Sequence, residues 1–374
     1  PLEDLIQAGR DMVRARDSKT DIVVAAVDDR TVDELGGLNF PRHLDGEAID
    51  RLFELGAKRV FFDRAYADPT TPKEDAAFLA ALKRHPGKVF LGTMRSWDAT
   101  TKSFTEIGPY PPFEKQARLA LINGKTSPFS LTAQFPYKSV IKGKSVPSMA
   151  VWLSGRHVDS KEYFRPDWSV RVLSVPTISL VDGIKKRVSP SRVAGKDVVI
   201  GPTTTVANDF HRLVHQGWLP GVYFHVIAAE TLERGVPWDW GWLPPFLVAA
   251  ALAYFHLYTR RPMIVRLTGI GAVVILGVFP IYLDEHLITV DVVPGALFFT
   301  IVAYRAMTLR RVRHSSLTNV ISGLPNLAAL QYSGDKRDAT LIALKMQNFA
   351  EIAASFDQSI ERSVIGEIRR RVVL

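Results

Sequence analysis

The chain has 374 residues, 47% of them hydrophobic, and a formal charge of +9 at neutral pH. It is long enough for two or three domains and only slightly more apolar than an average soluble protein. It contains no cysteine, which excludes disulfides, thiolate metal sites and cysteine nucleophiles. Many of its arginines flank apolar runs, so the positive charge does not argue for nucleic acid as a partner.

Leu2 to Arg16 reads as a polar amphipathic helix, within a first segment of residues 1–20. No secretory signal precedes it, and a domain on the outer side of a membrane must be exported, so a membrane helix is expected ahead of this chain. From Asp21 the pattern alternates: strand Ile22–Val27, helix Leu44–Leu55, strand Arg59–Phe62, helix Asp75–Arg84, strand Val89–Gly92. Such alternation predicts an α/β domain with a mostly parallel sheet covered by helices. Residues 93–167 carry weak signals, apart from a helix near Ser148 to Leu153. Regularity returns with strands Val170–Leu173 and Val198–Ile200 and a helix from Phe224 to Arg234, with Gly235 as its stop.

Ligands of parallel sheets settle beyond the carboxyl ends of the strands. Those positions hold Asp28, Asp29 and Arg30, then Asp63 and Arg64, then Thr203 and Thr204. They outline a candidate polar pocket; the plainer role for Asp28 and Asp63 is capping a helix or bracing a turn. Asp209, His211 and His215 are weighed as metal ligands, but their loop spacing is not that of a metal site, and none is assigned. His225, in an apolar stretch, reads as a packed core histidine.

Three apolar runs follow, at 243–259, 267–283 and 287–307, each approaching the ~20 residues that span ~30 Å of hydrocarbon. Arg260, Arg261 and Arg266 follow the first, Asp284 and Glu285 the second, and Arg305, Arg310, Arg311 and Arg313 the third. Cationic loops are retained inside, so the alternation predicts three transmembrane helices, with residues before about 242 outside and those after about 310 in the cytoplasm. Trp238, Trp240 and Trp242, ahead of the first run, suit the water–lipid boundary.

Asp28-Asp29-Arg30-Thr31, Glu34-Leu35-Gly36, Pro41-Arg42, Leu55-Gly56-Ala57 and Phe62-Asp63 carry a resemblance, with Gly195-Lys196, Val199-Ile200-Gly201 and Gly221-Val222 through His225. In this order they resemble the type-2 CHASE extracellular sensory domain, over about residues 21–237. The resemblance implies a receptor of the bacterial inner (plasma) membrane. Its outer domain senses an unidentified ligand or protein between one earlier and three later membrane helices, and a homodimer is expected.

A linker (residues 308–318) leads to residues 319–374, where Gly323-Leu324-Pro325-Asn326 and Phe349 with Glu351-Ile352 resemble the start of a GGDEF domain, the cyclic di-GMP synthase fold. The magnesium-binding carboxylate positions of that family correspond to Lys345 and Gln347, and the guanine-reading positions to Ala353 and Arg362. Protonated lysine does not ligate magnesium, and neither alanine nor arginine reproduces the guanine contacts. A degenerate, cyclase-inactive module is expected, able at most to hold GTP or cyclic di-GMP. The resemblance suggests regulation of a downstream EAL phosphodiesterase. No residue is assigned as catalytic and no cofactor is expected here, magnesium belonging to a downstream domain. The competing reading is a membrane scaffold that binds a protein partner through its outer domain.

Overall fold

The computed structural model describes residues 2–98, 102–126, 133–259 and 261–317, with isolated positions after 317. Lys345, Ala353 and Arg362, with most of the GGDEF-like segment, lie outside the described residues; Gln347 is an isolated exposed turn position. Two units divide the chain: Pro1–Phe246 with Val273–Pro294, and Leu247–Ala272 with Gly295–Leu374.

The first unit is mixed α/β. Its main sheet contains β1 (Val23–Val27), β2 (Arg59–Phe62), β3 (Val89–Asp98), β4 (Ser103–Ile107), β5 (Arg118–Leu121), β6 (Thr177–Ser179) and β7 (Asp197–Pro202). The order is β6-β1-β7-β2-β3, every neighbour parallel. Beyond it, β3 pairs in parallel with β5 through Phe90–Thr93 and antiparallel with β4 through Met94–Asp98.

The central strands read as unbroken apolar runs because helices cover both faces. Val24, Ala26, Phe61, Phe90 and Val199 face α5 (Met149–Ser154) and α7 (Gly221–Arg234), with Trp168 beside them. The alternate residues Val23, Ala25, Val27, Val60, Phe62, Val198 and Ile200 face α3 (Arg42–Glu54), α4 (Pro72–Arg84) and α6 (Leu180–Ile184). Local signals agree with these elements. Thr71 caps α4 ahead of Pro72, Ser148 caps α5 through the Val151 N–H, and Gly155 ends α5 in the left-handed conformation. A short α2 (Asp29–Leu35), capped by Asp28, fills the interval after β1 that the apolar periodicity does not mark.

Helix α1 (Leu2–Val13) reverses the usual amphipathic arrangement: Gln7, Ala8, Arg10 and Asp11 are buried, while Leu2, Leu5, Met12 and Val13 are exposed. Its polar face has ion-pair partners waiting for it, which is why it turns inward.

Three apolar helices follow. α8 (Leu243–Tyr258) has 16 residues. α9 (Pro262–Glu285) has 24 residues, and among the described residues it alone is long and apolar enough to cross a bilayer. Its length of about 36 Å exceeds the hydrocarbon thickness. A π-turn at Val274–Val278 immediately precedes Pro280, whose ring and missing N–H cannot continue a regular α-helical ladder. The third helix, α10 (Val293–Leu317), begins at Val293 instead of at 287. Ile288–Val290 is held as a strand, parallel to Trp238–Gly241, and Pro294 lies in the first helical turn, where its missing N–H costs nothing. In the second unit, Arg310 donates to the carbonyls of His256 and Thr259 (3.3 Å to the latter), capping the C-terminal end of α8.

Candidate functional site

A cavity of about 590 Å³ opens beyond the carboxyl ends of β2 and β7. Asp63, Arg64, Pro202, Ala207, Asp209 and His211 line one side. Gly221, Phe224 and His225 come from the first turns of α7, and Met94, Ile107, Ile122, Lys125, Ala133 and Phe135 supply a mainly apolar wall.

Asp63 follows β2 directly, and its backbone N–H bonds the Ile200 carbonyl at 2.8 Å, which aims its side chain past the sheet edge. Asp63 Oδ1 lies 3.4 Å from His225 Nε2, and the two side chains are only 6% and 5% exposed. Asp63 Oδ2 and His225 Nδ1 are buried with no hydrogen-bond partner among the described residues. Buried polar atoms are normally satisfied, because desolvation without a bond costs ~1–3 kcal/mol, and more for a charge. The His225 ring meets Phe135 edge-on at 5.2 Å.

Two glycines make the geometry possible. A Cβ on Gly201 would stand 2.6 Å from Val222 Cγ2 and 3.0 Å from Asp63 Cβ, so only glycine lets β7 meet the start of α7 beside Asp63. A Cβ on Gly221 would stand 2.7 Å from Asp209 Oδ2, so that carboxylate packs against the first turn of α7. The positive end of the helix dipole thereby already faces an anion. Asp209 Oδ1 also bonds His211 Nε2 at 3.2 Å, and this bond raises the imidazole pKa against the opposing effect of burial.

Arg64 borders the cavity but spends its charge behind it. Nη2 donates to the Leu38 carbonyl at 3.2 Å, Nη1 lies 3.8 Å from Asp45 Oδ2, and the guanidinium sits over Phe40 and Tyr66. Burial pushes the Asp45 carboxyl up to about 6 even with Arg64 nearby.

The other strand-end candidates lie elsewhere. Asp28 Oδ1 accepts from the Thr31 N–H at 2.8 Å and from Ser179 Oγ at 2.9 Å. Asp29 takes the Thr204 hydroxyl. Arg30 bonds Glu34 and Asp182 on the surface, both at 3.0 Å, and the Thr203 N–H continues the ladder to the Val27 carbonyl at 3.0 Å. His215 turns away from Asp209 and His211 to the Trp168 carbonyl at 2.9 Å. Among the described residues no group of three or more His, Asp or Glu side chains is disposed to hold a metal ion.

α7 also reaches a second polar assembly. Its 14 residues span about 21 Å, and at its far end Glu230 pairs with Arg16 at 2.7 Å while Arg234 pairs with Asp167 and with Glu285 (3.4 Å to the latter). Asp167 also receives Arg14 at 3.3 Å and Arg16 at 3.4 Å. Burial raises its pKa, but these arginines and Ser169 outweigh that and hold the carboxyl below its ordinary range. Arg10 Nε meets Asp284 Oδ2 at 2.7 Å, Arg10 Nη2 donates to the Val290 carbonyl at 3.2 Å, and Arg165 pairs with Asp11. Glu3 Oε2 accepts the Val293 N–H at 2.9 Å, at the first residue of α10. Ionic bonds therefore join α1 and α7 to the C-terminal end of α9 and the start of α10.

A mixed α/β domain with a cavity at the strand ends, anchored to the end of a membrane-length apolar helix, has the form of an extracytoplasmic sensor. The CHASE2 domain family matches residues 3–259, and the chain belongs to that family of extracellular sensory domains. No curated protein and no solved structure proved similar enough to the chain to count as a match. Two of the glycines carrying the sequence resemblance, Gly201 and Gly221, permit the close packing around Asp63 and Asp209.

Proposed function

We propose that this chain is the sensory and membrane part of a multi-pass receptor of the bacterial inner membrane. In this reading a small ligand in the Asp63–His225 cavity biases two packings of α7, and the bias is relayed to the membrane helices. Regulated turnover of cyclic di-GMP, through a degenerate GGDEF module acting on an EAL phosphodiesterase, is the output. The observation that carries the reading is the position of α7: its first turns line the cavity, and its last turn enters the ionic assembly that holds Glu285. A ligand shifts such an equilibrium only by its differential affinity for the two states, and a helix wall that is also an anchor supplies that difference.

The orientation follows from the cationic clusters Arg260–Arg266 and Arg305–Arg313, retained in the cytoplasm. Signalling as a homodimer extends the proposal, and cysteine crosslinking at Ala306 in membranes tests it. The main test is cyclic di-GMP hydrolysis and synthesis by the full-length receptor in lipid nanodiscs, comparing wild type with Asp63→Asn and Arg234→Ala. Hydrolysis without synthesis, altered by both substitutions, supports the receptor reading. Turnover indifferent to both refutes it, and absence of both activities favours a scaffold.

A further inference from the structure

We infer that the cavity is built for an organic ammonium ion: a primary or secondary amine, protonated, on an apolar body of modest size. The inference rests on the reading of this cavity as the sensor site and adds the chemistry of what it takes.

The unsatisfied carboxylate oxygen of the cavity carries the inference. Asp63 Oδ2, an acceptor, is buried and unbonded among the described residues, in a side chain only 6% exposed. Beside it, His225 turns Nε2 toward Asp63 Oδ1 at 3.4 Å and leaves Nδ1 buried and unbonded among the described residues. A buried carboxylate oxygen without a donor calls for an N–H group, and its charge favours a cationic one.

Features that would hold an anion are already occupied. The first turn of α7 faces the Asp209 carboxylate, His211 is paired to the same carboxylate, the Arg64 guanidinium is directed to Asp45 and the Leu38 carbonyl, and the Lys125 ammonium sits over the Tyr163 ring at 4.2 Å. Of the two carboxylates in the cavity, Asp209 therefore has its counter-charge and Asp63 shares only the 3.4 Å contact with His225. The elevated pKa of His211 reinforces that balance, since its imidazolium stays paired with Asp209 nearer to neutral pH.

The remaining wall is mainly apolar, with Asn39, Asn123, Lys125 and Thr126 as its polar members. Met94, Ile107, Ile122, Phe135 and Phe224 surround the polar end, and the rings of Phe135 and Phe224 suit a cation as well as a hydrocarbon. A volume of about 590 Å³ lies within the range of small-molecule sites.

The test is isothermal titration calorimetry on the whole chain in nanodiscs, with 2-phenylethylamine and n-hexylamine as probes. Their shape-matched neutral and anionic counterparts, 2-phenylethanol and phenylacetate, serve as comparisons. Saturable binding of at least one amine, at least tenfold tighter than both counterparts, is expected of the wild-type protein. That comparison needs no variant. Asp63→Asn is then expected to weaken the amine tenfold or more and to change 2-phenylethanol affinity far less, since only the amine loses a charge pair. Binding of phenylacetate in preference to both amines, binding of neither amine, or amine affinity unaltered in a folded Asp63→Asn protein overturns the inference. Calorimetry reads occupancy without reference to cyclic di-GMP. Failure of the ammonium assignment is thus distinct from failure of the receptor reading, which the turnover assay judges by itself.

Discussion

Replacing Arg10 with alanine should be among the most damaging changes in the outer unit, although α1 is a short helix near the chain start. Arg10 is 4% exposed, and its guanidinium meets Asp284 Oδ2 at 2.7 Å, Glu3 Oε1 at 3.7 Å and the Val290 carbonyl at 3.2 Å. Asp284 is equally buried. Removing the cation strands a carboxylate that remains desolvated, a situation that costs ~3–5 kcal/mol. For a unit of this size that corresponds to a fall of about 6–20 °C in Tm. The protein would be reconstituted in nanodiscs and melted while near-ultraviolet circular dichroism follows Trp168, which packs on Phe224 at 4.8 Å in the outer core. The double substitution Arg10→Met with Asp284→Leu removes both charges and should recover most of the loss, because an apolar pair of similar volume matches a buried ion pair in stability. A drop below about 2 °C for Arg10→Ala would mean that the pair behaves as a solvated surface bridge. Simple addition of the two single losses in the double variant would likewise refute the argument.

Asp45 should make stability depend on pH. Its carboxyl titrates near 6, raised by burial from about 3.8, so the folded state binds the proton more tightly than the unfolded one. That contribution is fully present below about pH 3.8 and is lost as pH rises through 6, amounting to about 3 kcal/mol. Asp45→Asn should remove this component from a denaturation series between pH 4 and 7. Gly201→Ala should cost ~1–3 kcal/mol by overpacking, since its Cβ meets Val222 Cγ2 at 2.6 Å. A companion Val222→Ala substitution should restore part of the stability, as read by Tm. Asp28→Ala should lose ~1 kcal/mol through the missing cap on α2 and leave amine affinity unchanged, because Asp28 bonds Thr31 and Ser179 instead of facing the cavity.

Local pattern made much of the fold legible. The runs Ile22–Val27 and Arg59–Phe62 declare buried parallel strands because each carries apolar side chains on both faces, and Gly235 follows α7 where the stop was expected. Residues 93–167 are opaque because most of their strands have only two to five residues, as in Tyr163–Phe164, too few for an apolar alternation to stand out. Those residues nonetheless furnish one wall of the cavity. His225 looks like a core histidine, and by burial it is one. Only the approach of β2 to α7 puts Asp63 3.4 Å from its ring.

Sequence alone determined the alternating α/β order, the apolar segments with their alternating flanking charges, and the membership signalled by glycines and aspartates at strand ends. Those features are periodic or local, and hydrophobic spacing and turn chemistry write them directly into the chain. Tertiary structure decided which strand-end acid faces a cavity and which caps a helix, since Asp28 and Asp63 occupy equivalent places in sequence and differ only in their neighbours. It also decided that α1 turns its charges inward, because the partners of Arg10 and Arg14 are brought from Asp167, Asp284 and Glu285. Pairing of distant charges depends on how elements pack, and no spacing along a single chain encodes it.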